Sequence, residues 1–388
     1  MKKSIKTETM NKPGKNLKNN KKRVVIKIGS GVLTHIHGLD KHIIQTIADQ
    51  ISILKKDQIE IIVVSSGAIA AGVKKIGFEK RPDGIPARQA AAAVGQADLI
   101  LSWERALEKD GCKVAQLLLT RDDLSHRRRF LNARNTINQL LDWKIIPVIN
   151  ENDTVVIEEI KLGDNDNLAA LITLLMDADL LINLTDIDGL YNKDPRIHQD
   201  AALISRVSTI TREMELAAAG IPGNLGTGGM LSKLKAAKKL NRAGVPMIIA
   251  GGKNNNIVLD IFSGKTAGTY FKPGRERLNS RKCWIAFNLK ARGAIYLDNG
   301  AEKAVMERGK SILPIGITAV TGNFNVGDPV EIKAESNTVL GKGLVNYSSA
   351  DINIIKGLKS DKIEQVLGSR PYIDVIHRNN LVTTITCS

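Results

Sequence analysis

Two lysines stand where phosphate chemistry could use them. Lys27 interrupts the apolar run Arg23-Val-Val-Ile-Lys-Ile28, two residues ahead of Gly29-Ser30-Gly31. A lysine in a buried strand is costly unless an anion meets it. An edge strand with its lysine in solvent fits the same residues. Lys233 follows Gly226-Thr227-Gly228-Gly229-Met230 and falls on the first turn of a predicted helix. Glycines let backbone N–H groups approach phosphate, and a lysine there can neutralise charge developing during phosphoryl transfer. A flexible loop with a surface lysine is the alternative.

Two polar clusters could serve such a site. Gly163-Asp164-Asn165-Asp166-Asn167 opens another predicted helix. Asp and Asn are favoured there as N-caps, and paired aspartates also suit Mg²⁺ or the orientation of a lysine. Asn150-Glu151-Asn152-Asp153 follows a β-run. It reads as a turn or as the holder of a small polar substrate. Two further patterns are decoys. Ser263-Gly264-Lys265-Thr266 resembles the end of a P-loop, but Leu259 stands where that motif needs glycine. Asp164-Asn-Asp166 resembles the start of an EF-hand without its later ligands. The six histidines show no metal-ligand spacing.

The elements that must position these residues alternate. Strands are expected at 23–28, 59–64, 114–119, 145–149, 180–184 and 245–249, and helices at 39–54, 87–109, 130–142, 165–176 and 229–243. Continuous apolar strands between helices imply a mostly parallel open sheet sandwiched by helices, an α/β fold. The polar and glycine-rich clusters fall at strand C-termini, the edge where such sheets bind ligands. Residues 271–277 read as a linker. Beyond about residue 280, short strand-like pieces at 293–297, 330–333 and 344–347 lie between glycine-punctuated turns. They imply a small β-rich second domain of barrel or sandwich type.

With 388 residues the chain has length for two domains and a substantial core. The expected division is a disordered basic tail at 1–23, a first domain at 24–280 and a second at 281–388. No apolar run reaches the roughly 18 residues of a membrane helix, and the N-terminus lacks the apolar core of a secretory signal. Three widely spaced cysteines argue against a disulfide framework and for a reducing, cytoplasmic setting. The net charge of +16 raises the possibility of a nucleic-acid partner. Half of that excess, +8, lies in residues 1–23, however, and only +4 in residues 281–388.

Together these segments resemble the glutamate 5-kinases of the amino-acid kinase family, in the form carrying a C-terminal PUA domain. The resemblance runs from about residue 24 to about 380. It rests on Val25-Ile-Lys-Ile-Gly-Ser30, Val64-Ser-Ser-Gly-Ala-Ile-Ala-Ala-Gly72, Arg129-Phe-Leu-Asn-Ala-Arg134, Pro147-Val-Ile-Asn-Glu-Asn-Asp153, Lys161-Leu-Gly-Asp-Asn-Asp-Asn167, Leu184-Thr-Asp186 and Gly226-Thr-Gly-Gly-Met230 with Lys233. In the second domain it rests on Ser311-Ile-Leu-Pro-Ile-Gly-Ile317, Thr321-Gly-Asn-Phe324 and Asn346-Tyr-Ser-Ser349.

The resemblance implies transfer of the ATP γ-phosphate to the side-chain carboxylate of L-glutamate, with Mg²⁺ accompanying ATP. This is the first step of proline synthesis, and feedback inhibition by proline is expected. It gives catalytic roles to Lys27, Lys233 and Asp166. It gives nucleotide binding to Lys27, Thr185, Asp186, Thr227, Gly228, Gly229, Met230, Leu231, Ser232 and Lys233, and glutamate binding to Ser66, Asp153, Asn165 and Asn150. It also implies a dimer or tetramer; RNA binding is a domain-level reading of the PUA-like domain alone, weakly supported by its charge of +4 and few aromatic residues. The competing readings are a related kinase acting on another small carboxylate, carbamate or UMP, and an RNA-binding protein. A carboxylate nucleophile is already ionised at neutral pH, so no general base is required.

Overall fold

The computed structural model describes residues 22–35, 38–155, 165–219, 229–274, 277–369 and 372–384. The expected tail at 1–23 lies outside them except for Lys22 and Arg23, and Arg23 already begins a strand.

Eight strands form the larger sheet: β1 (Arg23–Ile28), β2 (Glu60–Ser65), β3 (Val114–Leu119), β4 (Ile146–Glu151), β5 (Leu180–Thr185), β6 (Arg206–Val207), β7 (Met247–Gly251) and β8 (Thr269–Phe271). Their spatial order is β3-β4-β2-β1-β5-β7-β8-β6. All neighbours pair in parallel except β7 and β8. β1 therefore lies inside the sheet, which removes the edge-strand reading of Lys27.

Along the chain, α1 (Lys41–Lys56), α2 (Ala68–Ile76), α3 (Ile85–Glu108), α4 (Arg121–Ser125), α5 (Arg127–Asp142), α6 (Asn165–Leu175), α7 (Arg212–Ala219), α8 (Met230–Arg242), α9 (Ile257–Ser263) and α10 (Ser280–Phe287) surround this sheet. Successive strand residues point to opposite faces, and both faces are apolar. Val24, Ile26 and Ile28 pack on the layer of α1, α3 and α9. Val25 packs on the layer of α5, α6, α8 and α10. Lys27 shares the Val25 face by this alternation, so α6 and α8 lie above it.

One crossing is tight enough to exclude every side chain. A Cβ on Gly72 in α2 would stand 1.7 Å from the Ala91 carbonyl oxygen of α3, and one on Gly95 would stand 2.0 Å from the Ala68 oxygen. The two glycines let the helix backbones touch where α2 leaves the end of β2.

The second sheet contains β9 (Gly293–Leu297), β10 (Ile317–Gly322), β11 (Pro329–Ala334), β12 (Val339–Leu344) and β13 (Leu381–Thr383), in the order β10-β9-β11-β12-β13. With α11 (Asn299–Met306) and α12 (Ser349–Ile355) it encloses a separate core around Ile295, Phe324, Val330 and Ile332. The strand expected at 344–347 is displaced. β12 ends at Leu344, and the Asn346 N–H bonds the Val375 carbonyl at 2.8 Å. Ser348 then caps α12.

The expected linker at 271–277 is pinned rather than free in its described part. Phe271 is buried, and the Arg277 guanidinium bonds Asp179 at 2.8 Å and the Asp177 carbonyl at 2.7 Å. The helix that follows, α10, is shared. Its Cys283, Trp284 and Ile285 belong to the core of the larger unit, while Lys342 of β12 donates to the Ala286 and Leu289 carbonyls. The P-loop decoy has a plain structural use: Gly264, at φ 80°, closes α9. Among the described residues no helix is long and apolar enough to cross a membrane.

Candidate active site

The sheet order reverses direction at β1. The chain runs from β1 to β2, β3 and β4 on one side, and then to β5 and β7 on the other. A crevice opens at the strand C-termini at such a point, and the sequence-predicted residues gather there.

Asp166 is the junction. It sits in the first turn of α6 and is 1% exposed. The Lys27 ammonium meets its Oδ1 at 2.5 Å, and the Lys233 ammonium meets its Oδ2 at 3.3 Å. Lys27 and Lys233 are themselves buried. Ser232 Oγ donates to Oδ2 at 2.5 Å, and Asn183 Nδ2 donates to Oδ1 at 2.9 Å. Burial would raise the Asp166 pKa, but the charges of Lys27 and Lys233 and the hydrogen bonds from Lys27 and Ser232 outweigh it. The carboxyl is held well below its ordinary range, so it stays ionised and fixes both ammonium groups at the end of β1.

On the β2–β4 side lies a polar pocket. Asn165 Nδ2 stands 2.8 Å from Ser66 Oγ and 2.9 Å from Asn150 Oδ1, and Asn150 Nδ2 donates to Gln96 Oε1 at 2.8 Å. Asp153 is buried nearby in a short helical turn. Burial pushes its pKa up to about 6, with Arg81 pulling the other way. Asp153 Oδ1 and Asn165 Oδ1 are buried acceptors with no hydrogen-bond partner among the described residues. Such atoms are rare in folded proteins and point to a donor supplied by a ligand.

On the β5 side a cavity of about 570 Å³ opens. Thr185, Asp186, Gly229, Met230 and Lys233 line its inner end. Ile187, Leu190, Ile204, Met214 and Ala218 give it an apolar wall suited to a flat heteroaromatic ring. Leu231 packs against the core instead, and Ser232 is directed to Asp166. Thr227 and Gly228 lie outside the described residues.

The fold thus brings together Lys27, Lys233 and Asp166, and sets Ser66, Asn150, Asp153 and Asn165 on one side and Thr185, Asp186, Gly229 and Met230 on the other. Sequence reasoning missed Asn183, although it had the signal that exposed Lys27: a polar residue inside the apolar run of residues 180–184. It also missed Gln96 and the apolar wall, whose residues come from segments with no motif.

Comparison with known proteins places the chain. The amino acid kinase family matches residues 22–251, and the PUA domain matches residues 293–367. A glutamate 5-kinase of Syntrophus aciditrophicus is 50% identical over 96% of this chain and 97% of that one. One of Geobacter sulfurreducens is 51% identical over 93% and 97%, and one of Caldanaerobacter subterraneus is 47% identical over the same shares. Among solved structures, a UMP kinase from Ureaplasma parvum covers 66% of this chain and 100% of its own at 18% identity and a TM-score of 0.46. The chain belongs to the amino acid kinase family, within the glutamate 5-kinase group, and carries a PUA domain.

Proposed function

We propose that the protein transfers the γ-phosphoryl group of ATP to the side-chain carboxylate of L-glutamate, giving L-glutamyl 5-phosphate and ADP. The carrying observation is the Asp166 junction. It joins a lysine of β1 to a lysine of α8, between a polar pocket with two acceptors unpartnered among the described residues and a largely apolar cavity. The relatives' names agree with this reading.

Roles follow from chemistry. The adenine ring takes the apolar wall, and the phosphates extend toward Gly229 and Lys233. The α-ammonium of glutamate supplies the donors that Asp153 Oδ1 and Asn165 Oδ1 lack among the described residues, with Ser66 and Asn150 completing the pocket. The glutamate carboxylate, ionised at neutral pH, attacks the γ-phosphorus as ADP departs. Lys27 and Lys233 neutralise the charge on the phosphoryl oxygens, so catalysis is positioning plus electrostatic stabilisation. Mg²⁺ belongs to this reading as part of MgATP. The junction carboxylate is engaged by four donors, which leaves the metal to the nucleotide phosphates and supports its entry with the substrate.

The same reading includes the first committed step toward proline and inhibition by proline, whose α-ammonium and α-carboxylate can meet the polar pocket as those of glutamate do. It also includes self-association. The exposed apolar Val94 and Leu101 of α3 and Leu118 of the edge strand β3 support it. A hydroxamate assay with ATP and glutamate, run with and without proline, tests the activity. Hydroxamate is expected with glutamate and not with N-acetylglutamate or aspartate as acceptor, and a parallel ADP-release assay should show no turnover with UMP. A preference for N-acetylglutamate or UMP would overturn the reading.

A further inference from the structure

A second cavity, about 630 Å³, shares no lining residue with the nucleotide cavity or the polar pocket. One wall is α4 and the start of α5, with Arg121 and Arg127. The other is the connector into the second sheet and the start of β11, with Lys290, Arg292 and Asp328. The groove therefore joins the kinase unit to the PUA unit. Its floor is rigid: the Trp284 indole N–H and the Asn288 amide both donate to the Leu124 carbonyl, at 3.1 and 2.9 Å.

The charges in the groove are not balanced. Arg292 faces Asp328 at 3.4 Å, and Asp122 is taken by Arg129 at 3.2 Å. Arg121, Arg127 and Lys290 have no carboxylate partner among the described residues. Arg127 is held in place by aromatic faces instead, 5.0 Å from the Trp284 ring centroid and 5.7 Å from that of Phe130. Burial, with Arg281 and Arg134 nearby, pushes its pKa down, the sign of a cation lacking a counter-charge.

We infer that this groove binds a small, multiply charged phosphate-bearing anion, clamped between Arg121 and Arg127 on one side and Lys290 on the other. Three uncompensated cations exceed what one carboxylate balances, and guanidinium forks match phosphate oxygens in pairs. The groove suits a compact ligand better than a polynucleotide. Of the two rings among its described lining residues, Trp284 is buried and covered by Arg127, and the His126 imidazole is turned to Asp122, its Nδ1 2.9 Å from the Asp122 carbonyl oxygen, so the groove has no run of aromatic faces for successive bases.

The test uses the full-length protein, with the nucleotide site held by saturating ADP, and inorganic pyrophosphate titrated by calorimetry. One ADP-independent site is expected. The double variant Arg121→Glu/Lys290→Glu, which alters exposed side chains only, should weaken it at least tenfold with turnover and both substrate KM values unchanged. Arg127→Gln should weaken it as well. No binding beyond the ADP-competed site, or equal affinity in the double variant, overturns the inference. So does a single-stranded ten-nucleotide RNA that binds with sensitivity to the double variant while pyrophosphate does not.

Discussion

Lys27 and Asn183 stand side by side in parallel register on β1 and β5, and both donate to the same oxygen of Asp166. Asn183 is fully buried and lies one strand away from the lysine it accompanies. It holds the carboxylate that holds the lysine, so it acts as a positioning residue. Asn183→Ala should lower turnover about tenfold, the consequence of losing a charge-assisted hydrogen bond of about 1.5 kcal/mol. KM for ATP should change little. Steady-state kinetics checks the split, and a variant with normal turnover would show that the junction does not need the amide.

The lysines themselves carry a larger share. Lys27→Ala or Lys233→Ala should lower turnover by about 10²–10³, roughly 3–4 kcal/mol of transition-state stabilisation. Either variant leaves Asp166 one ammonium partner, so circular dichroism should still report a folded protein. Near-normal turnover in a folded variant would sink the assignment.

Asp153→Asn should act on binding. The substitution keeps the shape and removes the charge that the proposed reading sets against the α-ammonium of glutamate. KM for glutamate should rise by about tenfold or more, with turnover at saturation less affected. An unchanged KM would remove Asp153 from the ammonium site.

The same carboxyl gives a pH signature. Its folded pKa is about 6 against an ordinary 3.8, raised by burial. The folded state therefore holds this proton more tightly than the unfolded state. The associated stability is fully present below about pH 4 and is lost as the pH rises through about 6. Two pKa units correspond to about 3 kcal/mol at most. Asp153→Asn should accordingly raise the melting temperature of the ligand-free protein at pH 7 and leave it nearly unchanged at pH 4. In the proposed reading glutamate needs the ionised form, so kcat/KM for glutamate should fall as the pH drops below about 6 in the wild type. Parallel melting curves for the two proteins at both pH values would contradict the assignment.

Gly72→Ala tests the crossing beneath the polar pocket. The new methyl carbon would stand 1.7 Å from a backbone oxygen, so α2 and α3 must separate. Overpacking typically costs about 1–3 kcal/mol, and a backbone clash lies at the upper end. A clearly lowered melting temperature is expected, with a raised glutamate KM because α3 carries Gln96, the partner of Asn150. Calorimetry and kinetics read the two effects separately.

Some of this architecture is local and therefore readable along the chain. Apolar runs with a glycine or serine after them mark β1, β2 and β7, and the 3.6-residue spacing of Ile44, Ile47, Ile51 and Leu54 marks α1. The composition of each strand end places Ser66, Asn150, Asp153 and Thr185 at one edge of a parallel sheet before any strand is paired. Tertiary structure alone decided the rest. That Lys27 is interior, and not on an edge, depends on β2 and β5 flanking β1, and strand order is a property of distant pairings. Asp166 reaches Lys27 across 139 positions and Lys233 across 67. No periodicity reports contacts of that span. Gln96 and the apolar cavity wall became visible only when packing set them against residues from other elements, whereas Asn183 interrupts its apolar run as Lys27 does and only its partner needed the fold. In the same way, the basic groove emerged only when the second domain docked beside α4.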